Sequence, residues 1–246
     1  MIDEGKISER LTVITDLLRI GRRPADIGCD HAYVPIRLCE QGRIDRAVAA
    51  DIREAPLAIA AENIRRRGLA DRIETRLSDG FSAINPSEID SALIAGMGGM
   101  LICRILNEGA GVLPSLRELI LEPQSDVDQV RRVLTEGSTG VTFRIDKERL
   151  VLERGKYYPV IHAIPVEKSA GLRLTREELL YGSELLAGRD PVLKKYLDGR
   201  YRKLCEIDRA LSDISAREKA RTAKRVIEIR EEIACCRAAL EYYEMQ

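Results

Sequence analysis

The chain has no tryptophan and only two phenylalanines. A broad aromatic platform for stacking single-stranded RNA is therefore not expected. It has no net charge: 40 lysines and arginines balance 40 aspartates and glutamates. That sum excludes a strongly basic nucleic-acid binder but leaves room for a local basic face. It has no CxxC pair. Its six cysteines stand at 29, 39, 103, 205, 235 and 236, and they read as reduced thiols of a cytosolic protein. No secretory leader is expected, because MIDEGKISERL is charged from the third residue. No apolar run approaches the roughly 20 residues that a membrane span needs, so a soluble, cytoplasmic protein is expected.

What is present is a core-forming composition. The 246 residues are 45% hydrophobic, which places the chain among folded proteins, and 33% charged, which points to a solvated helical part. Up to about residue 168, short strand-like runs alternate with helical patterns. After residue 172 only helical patterns remain. The expected division is a Rossmann-like α/β domain over residues 1–168 and a helical domain over residues 172–246.

In the first part, residues 6–20 repeat apolar side chains at helical spacing through Ile7, Leu11, Ile14, Leu17 and Leu18. Strands are expected at 24–28, 47–51, 73–77, 90–95 and 119–122, then at 141–145, 150–153 and 158–165. Helical patterns separate most of the first five, with a polar loop holding Asp79-Gly80 between the third and fourth. Such alternation argues a parallel sheet covered on both faces, and the short link before the last strand argues an antiparallel hairpin at one edge. Five strands of this alternation followed by such a hairpin give a seven-stranded plan. In the second part, Thr175 and Glu178 form a capping box, and Asp190-Pro191 starts a helix. Leu197, Tyr201, Leu204, Ile207, Leu211 and Ile214 recur at spacings of three and four, as do Val226, Ile229, Ile233, Cys236, Leu240 and Tyr243. An antiparallel coiled-coil hairpin is expected.

Ligands of open parallel sheets bind at the carboxyl ends of the strands. Those ends carry Asp26-Ile-Gly28-Cys-Asp30-His31, then Asp51, then Asp79-Gly80, then Gly96-Met97-Gly98-Gly99. Gly28 permits a sharp turn and close approach to a ligand. Asp51, 25 residues after Asp26, stands where a carboxylate accepts from ribose hydroxyls. Asp79 suits an exocyclic amine of adenine. The first loop has one glycine where a dinucleotide fingerprint has three, and no Lys-Ser/Thr pair for a nucleoside triphosphate. A cofactor with ribose and adenine but no phosphate fits, and S-adenosylmethionine is such a cofactor. Asp26 or Asp30 would pair with its amino group. Adjacent Cys29, Asp30 and His31 point in different directions, so no metal site is expected. Cys29 has no identifiable base partner and is not read as a nucleophile.

The segments ADIGCDHAYVPIRL (25–38), AADIREAPLAIAAENI (49–64), SDGF (78–81), LIAGMGGMLI (93–102) and LILEPQSD (119–126) resemble the bacterial tRNA (adenine-22-N1)-methyltransferases, the TrmK family. The resemblance implies a class I S-adenosylmethionine-dependent fold, with a coiled-coil extension, that methylates N1 of an adenosine in the D-arm region of tRNA. It implies that Asp26, Gly28, Asp30 and His31 line the methionine part of the cofactor. Asp51 would hold the ribose, and Asp79 and Gly80 would sit by the adenine. Gly96, Met97 and Gly98 would lie beside the cofactor where many amino-methylating enzymes carry an Asn/Asp-Pro-Pro-aromatic motif. N1 of adenine has its own lone pair and needs no amine activation, so the departure is chemically consistent. Asp30 is the candidate for stabilising the cationic product.

Candidate RNA contacts are above all Arg22, Arg23, Lys194, Lys195, Arg202, Lys203, Arg221, Lys224 and Arg225, and also Arg10 and Arg19 at the amino end, Arg65, Arg66, Arg67 and Arg200, the alternative being solvated helix faces. No DNA partner is expected, and both a monomer and a homodimer fit. Two rival readings remain: a class I methyltransferase for a small molecule or protein, and a non-catalytic nucleoside-binding interaction protein.

Overall fold

The structure, a computed structural model, describes residues 8–167, 172–212 and 216–244, with residues 216–222 described by their backbone alone. The chain forms two compact units, Met1–Arg173 and Leu174–Gln246.

In the first unit, β1 (Pro24–Ile27), β2 (Ala47–Asp51), β3 (Ile73–Leu77), β4 (Ser91–Met97) and β5 (Glu118–Pro123) are parallel. β6 (Thr142–Glu153) and β7 (Lys156–Val166) form an antiparallel hairpin, and β7 pairs with β5. The strand order is β3-β2-β1-β4-β5-β7-β6. Every residue of β1, β2 and β5 is buried, as a sheet covered on both faces requires. The helices are α1 (Glu9–Leu17), α2 (Tyr33–Glu40), α3 (Glu54–Arg66), α4 (Gly99–Glu108) and α5 (Val127–Glu136). The expected first helix is shorter than its apolar pattern: Ser8 caps α1, its Oγ accepting from the Leu11 N–H at 3.3 Å.

One expectation needs correction. The strands read at 141–145 and 150–153 are a single strand, β6, bent by a register shift between Ile145 and Lys147. The intervening Asp-Lys-Glu-Arg looks like a polar turn. Glu148, however, is buried and ion-paired with the buried Arg131 of α5 at 2.8 Å. That pair lets a charged residue face the core within the ladder.

Two buried carboxylates hold the link between α1 and β1. Glu118, fully buried at the start of β5, accepts the backbone N–H groups of Arg19, Ile20 and Gly21, the shortest at 2.6 Å. Its other oxygen lies 2.8 Å from Nε2 of buried His162. Burial alone would raise the pKa of Glu118, but His162 and the three N–H donors outweigh it and hold the carboxyl below its ordinary value. Asp90 accepts from the N–H groups of Arg22 and Arg23 at 3.0 and 2.8 Å. His162 lies on β7, between β5 and β6, inside the sheet.

The second unit is helical: α6 (Arg176–Tyr181), α7 (Ser183–Ala187), α8 (Pro191–Ser212) and α9 (Ala216–Glu241). The Thr175–Glu178 capping box is formed. Asp190 Oδ1 accepts from the N–H groups of Val192 and Leu193 at the start of α8. The long helices run antiparallel: Cys236 Sγ donates to the Leu197 carbonyl, Arg200 binds Glu232 and Asp208 binds Arg230. Leu193, Leu197, Leu204, Ile229, Cys236 and Ala239 are buried. Ile214 lies outside the described residues.

Candidate active site

The carboxyl ends of β1, β2 and β4 open onto a crevice of about 780 Å³, a size suited to a small-molecule cofactor. β1 delivers Asp26 as its third residue, already buried but facing the crevice. The chain then turns at Gly28, whose φ is +76°. The N–H groups of Gly28 and Cys29 both donate to the Ala50 carbonyl, at 2.8 and 3.0 Å, tying this loop to the end of β2. A Cβ on Gly28 would fall 2.1 Å from the Met97 methyl, so the two loops meet there. Asp30 and Ala32 follow with φ of 50° and 58°. Two non-glycine residues in the left-handed region mark a loop held in shape by its surroundings.

Nine of the ten residues expected at a cofactor line this crevice: Asp26, Gly28, Asp30, His31, Asp51, Asp79, Gly80, Gly96 and Met97. Gly98 does not. It is the N-cap of α4, where a Cβ would approach Ser125 Oγ at 3.3 Å. Its role is to start the helix, because the strand runs on through Met97. Gly99 is the more constrained glycine. A Cβ there would lie 2.3 Å from the Ser125 carbonyl oxygen and 2.6 Å from that of Asp126. Backbone atoms cannot swing aside, so Gly99→Ala is expected to lower stability by about 1–3 kcal/mol. Denaturant melts would check this, and an unchanged midpoint would refute it.

Electrostatics divide the acids. Burial, then the neighbouring charges of Asp51 and Asp30, push the Asp26 carboxyl up to about 7. Asp51 Oδ1 accepts the Arg53 N–H at 2.9 Å. Asp79 is exposed and engaged by both terminal nitrogens of Arg104, at 2.9 and 3.2 Å, which holds its carboxyl below the ordinary value. Asp30 has a side chain 63% exposed, 3.6 Å from His31 Nε2. His31 Nδ1 is buried without a hydrogen-bond partner. Burial raises the Cys29 thiol far above its ordinary value, so it is no nucleophile at neutral pH.

Three crevice residues escaped the strand-end reading. Arg10 of α1, Gln124 after β5 and Arg104 of α4 all line it. Glu122 stands behind them, fully buried, binding Arg10 Nη1 at 2.9 Å and the Gly96 N–H at 2.7 Å. The segment 119–126 carried a signal as a strand end, and Arg10 read from the sequence only as a basic residue for RNA phosphates, not as a neighbour of the crevice.

The expected RNA contacts separate. Arg22 and Arg23 precede β1, at the end of the sheet opposite the crevice, with Arg22 held by Asp45 at 2.6 Å and Arg23 3.7 Å from Asp90. They serve the strand's entry. Lys194 pairs with Asp198, Arg225 with Glu228, and Arg202 donates to the Asp198 carbonyl. Lys195, Lys203 and Lys224 are exposed. The Arg221 side chain lies outside the described residues.

A seven-stranded sheet in this order, with a carboxylate- and glycine-lined crevice at its switch point, defines the class I methyltransferase type of α/β protein. Comparison with known proteins narrows this. The family model "tRNA (adenine(22)-N(1))-methyltransferase", TrmK, matches residues 24–234, and the chain belongs to that family. The tRNA (adenine(22)-N(1))-methyltransferase of Bacillus subtilis is 32% identical over 169 residues, 69% of each chain. The crystal structure of the B. subtilis m1A22 tRNA methyltransferase aligns with a TM-score of 0.81 at 26% identity, covering 96% of this chain and 99% of that one. TrmK of M. capricolum, solved with S-adenosylhomocysteine, aligns at 0.80 and 26% identity over 96% of this chain and 98% of that one.

Proposed function

We propose that this chain transfers a methyl group from S-adenosylmethionine to N1 of adenosine 22 in tRNA. The observation that carries this reading is the convergence of Asp26, Gly28, His31 and Asp51 on one crevice in a chain of this family. The residues fit the cofactor chemically. The carboxylate of Asp26, costly to ionise where it stands, gains a partner in the methionine ammonium. His31 Nδ1, buried and unpartnered, has hydrogen-bonding capacity left for a ligand. Asp51, whose Oδ1 already receives the Arg53 N–H, would accept from the ribose hydroxyls of the cofactor. Asp79 and Gly80 border the adenine, with Asp79 shared with Arg104.

When bound, the cofactor supplies a methyl group on a sulfonium centre. N1 of the target adenine carries its own lone pair, so the chain has no proton to remove before attack. Its work is to align the base and exclude water. Gly96 and Met97 border the acceptor side, where small residues let a base come close. Asp30 faces the cationic product from the rim, where water screens its charge. The target base leaves its stack to reach the crevice. Lys195, Lys203 and Lys224, on antiparallel helices with coiled-coil packing, meet tRNA phosphates. The setting of such a reaction is the cytoplasm; among the described residues no helix is long and apolar enough to cross a membrane.

Labelled S-adenosylmethionine and unmodified tRNA provide the test. Incorporation is expected as 1-methyladenosine, identified by mass, and Asp51→Ala is expected to abolish it. Cofactor binding without transfer to any tRNA would overturn the activity and favour a nucleoside-binding module.

A further inference from the structure

The acceptor side of the crevice rests on a charge that the cofactor does not use. Glu122 closes β5 with a fully buried side chain. Its Oε2 accepts from Arg10 Nη1 at 2.9 Å and from the Gly96 N–H at 2.7 Å. Gly96 lies at the register shift between Ala95 and Met97, so its N–H is free of the β4–β5 ladder and available to Glu122. The other oxygen, Oε1, is buried and has no hydrogen-bond partner. Arg10 and the Gly96 N–H therefore carry the neutralisation of this carboxylate.

Arg10 is placed for a second task. Its guanidinium carbon lies 5.2 Å from the centroid of the Tyr158 ring, within cation–π range. Its side chain is 25% exposed and lines the crevice beside Gly96 and Gln124. A Cβ on Gly96 would come within 4.0 Å of Arg10 Nη1 and 3.9 Å of Gln124 Nε2. A guanidinium has five N–H donors, and Glu122 takes one of them at Nη1. The pairing also matters for charge. Methylated N1 makes the base cationic, and an unbalanced guanidinium beside it would oppose that product. Paired with Glu122, Arg10 adds donors to this wall with little net field.

We propose that Arg10 contacts the incoming nucleotide, donating hydrogen bonds to its lone pairs, and that Glu122 is the positioning residue that holds Arg10 and Gly96 for it. The inference rests on the tRNA methylation reading.

Steady-state methylation of tRNA and calorimetric cofactor binding would be measured for Arg10→Ala, Arg10→Lys, Glu122→Gln and the double variant Arg10→Ala/Glu122→Gln. Cofactor Kd is expected to stay within about twofold throughout, because Asp26 and Asp51 are untouched. Arg10→Ala is expected to lower kcat/KM at least tenfold, mainly through KM for tRNA. Arg10→Lys keeps the charge but not the planar fork, so it is expected to recover only part of this. Glu122→Gln is expected to lower kcat tenfold or more. In the double variant the two losses should combine to less than their product, since both act on one contact.

Wild-type kcat/KM in Arg10→Ala, or a loss matched by weaker cofactor binding or by a lower melting temperature in every variant, would overturn the proposal. Were the wild-type protein itself inactive on tRNA, the activity reading and this inference would fall together. An active wild type with an indifferent Arg10 removes this inference alone. The double variant lacks the buried carboxylate, so it keeps the Arg10 question open to measurement even where Arg10→Ala folds poorly.

Discussion

Asp26→Asn is expected to weaken cofactor binding strongly and yet make the protein melt at a higher temperature at pH 8. The folded carboxyl titrates near 7, against an ordinary value of 3.8. Between those values the folded state holds a proton that the unfolded chain has released, so stability falls as pH rises through that window. A shift of this size amounts to about 4 kcal/mol above pH 7. The amide keeps the shape and never pays it. The gain in melting temperature should therefore be large at pH 8 and small at pH 4. An equal gain at both would show that burial of Asp26 carries no ionisation cost. Cofactor affinity follows the opposite sense. The ammonium pairs with the ionised form, so wild-type Kd should rise by at most about tenfold per unit as pH drops below 7. In Asp26→Asn, binding should fall by about a hundredfold or more, comparable to leaving a charged ligand group without its partner. Calorimetry across pH measures both. Stability has been given up at this strand end for a carboxylate that its ligand needs.

The second large effect concerns Glu118, far from the crevice. Glu118→Gln is expected to cost about 3–5 kcal/mol, because three backbone N–H groups and His162 lose the charge they surround. For a domain of this size that is a fall of about 10 °C in melting temperature. The folded carboxyl lies below its ordinary value, so its contribution is present above pH 4.5 and disappears as the pH falls through the folded value. The gap between wild type and variant should narrow in acid. A constant gap would mean that packing, not charge, accounts for the loss.

The sheet and its ligand end were legible because period and punctuation agree there: short apolar runs break at Asp26, Asp51 and Gly96, and those breaks converge in space. What escaped reading was charge turned inward. Glu118, Glu122 and Glu148 look like polar boundaries of strands, and each is buried because a partner distant in sequence meets it. The Arg10–Glu122 pair spans 112 residues, and no local pattern reports such a meeting. Arg22, Arg23, Lys194 and Arg225 were visible as charges, but their carboxylate partners were not. A basic residue shows its sign in sequence and shows whether that sign is already spent only in the fold.

The hub at Glu118 also sets an order of events during synthesis. The backbone of residues 19–21 is anchored by a side chain about 100 residues later, and that side chain is completed by His162 of β7. β7 itself lies between β5 and β6, although it is made after both. A growing chain that has not yet released residue 162 from the ribosome has an amino-terminal segment with its anchor half built and a β5 edge still bare. The first unit thus closes late, with the insertion of its last strand, and an unfinished chain carries an exposed strand edge until then.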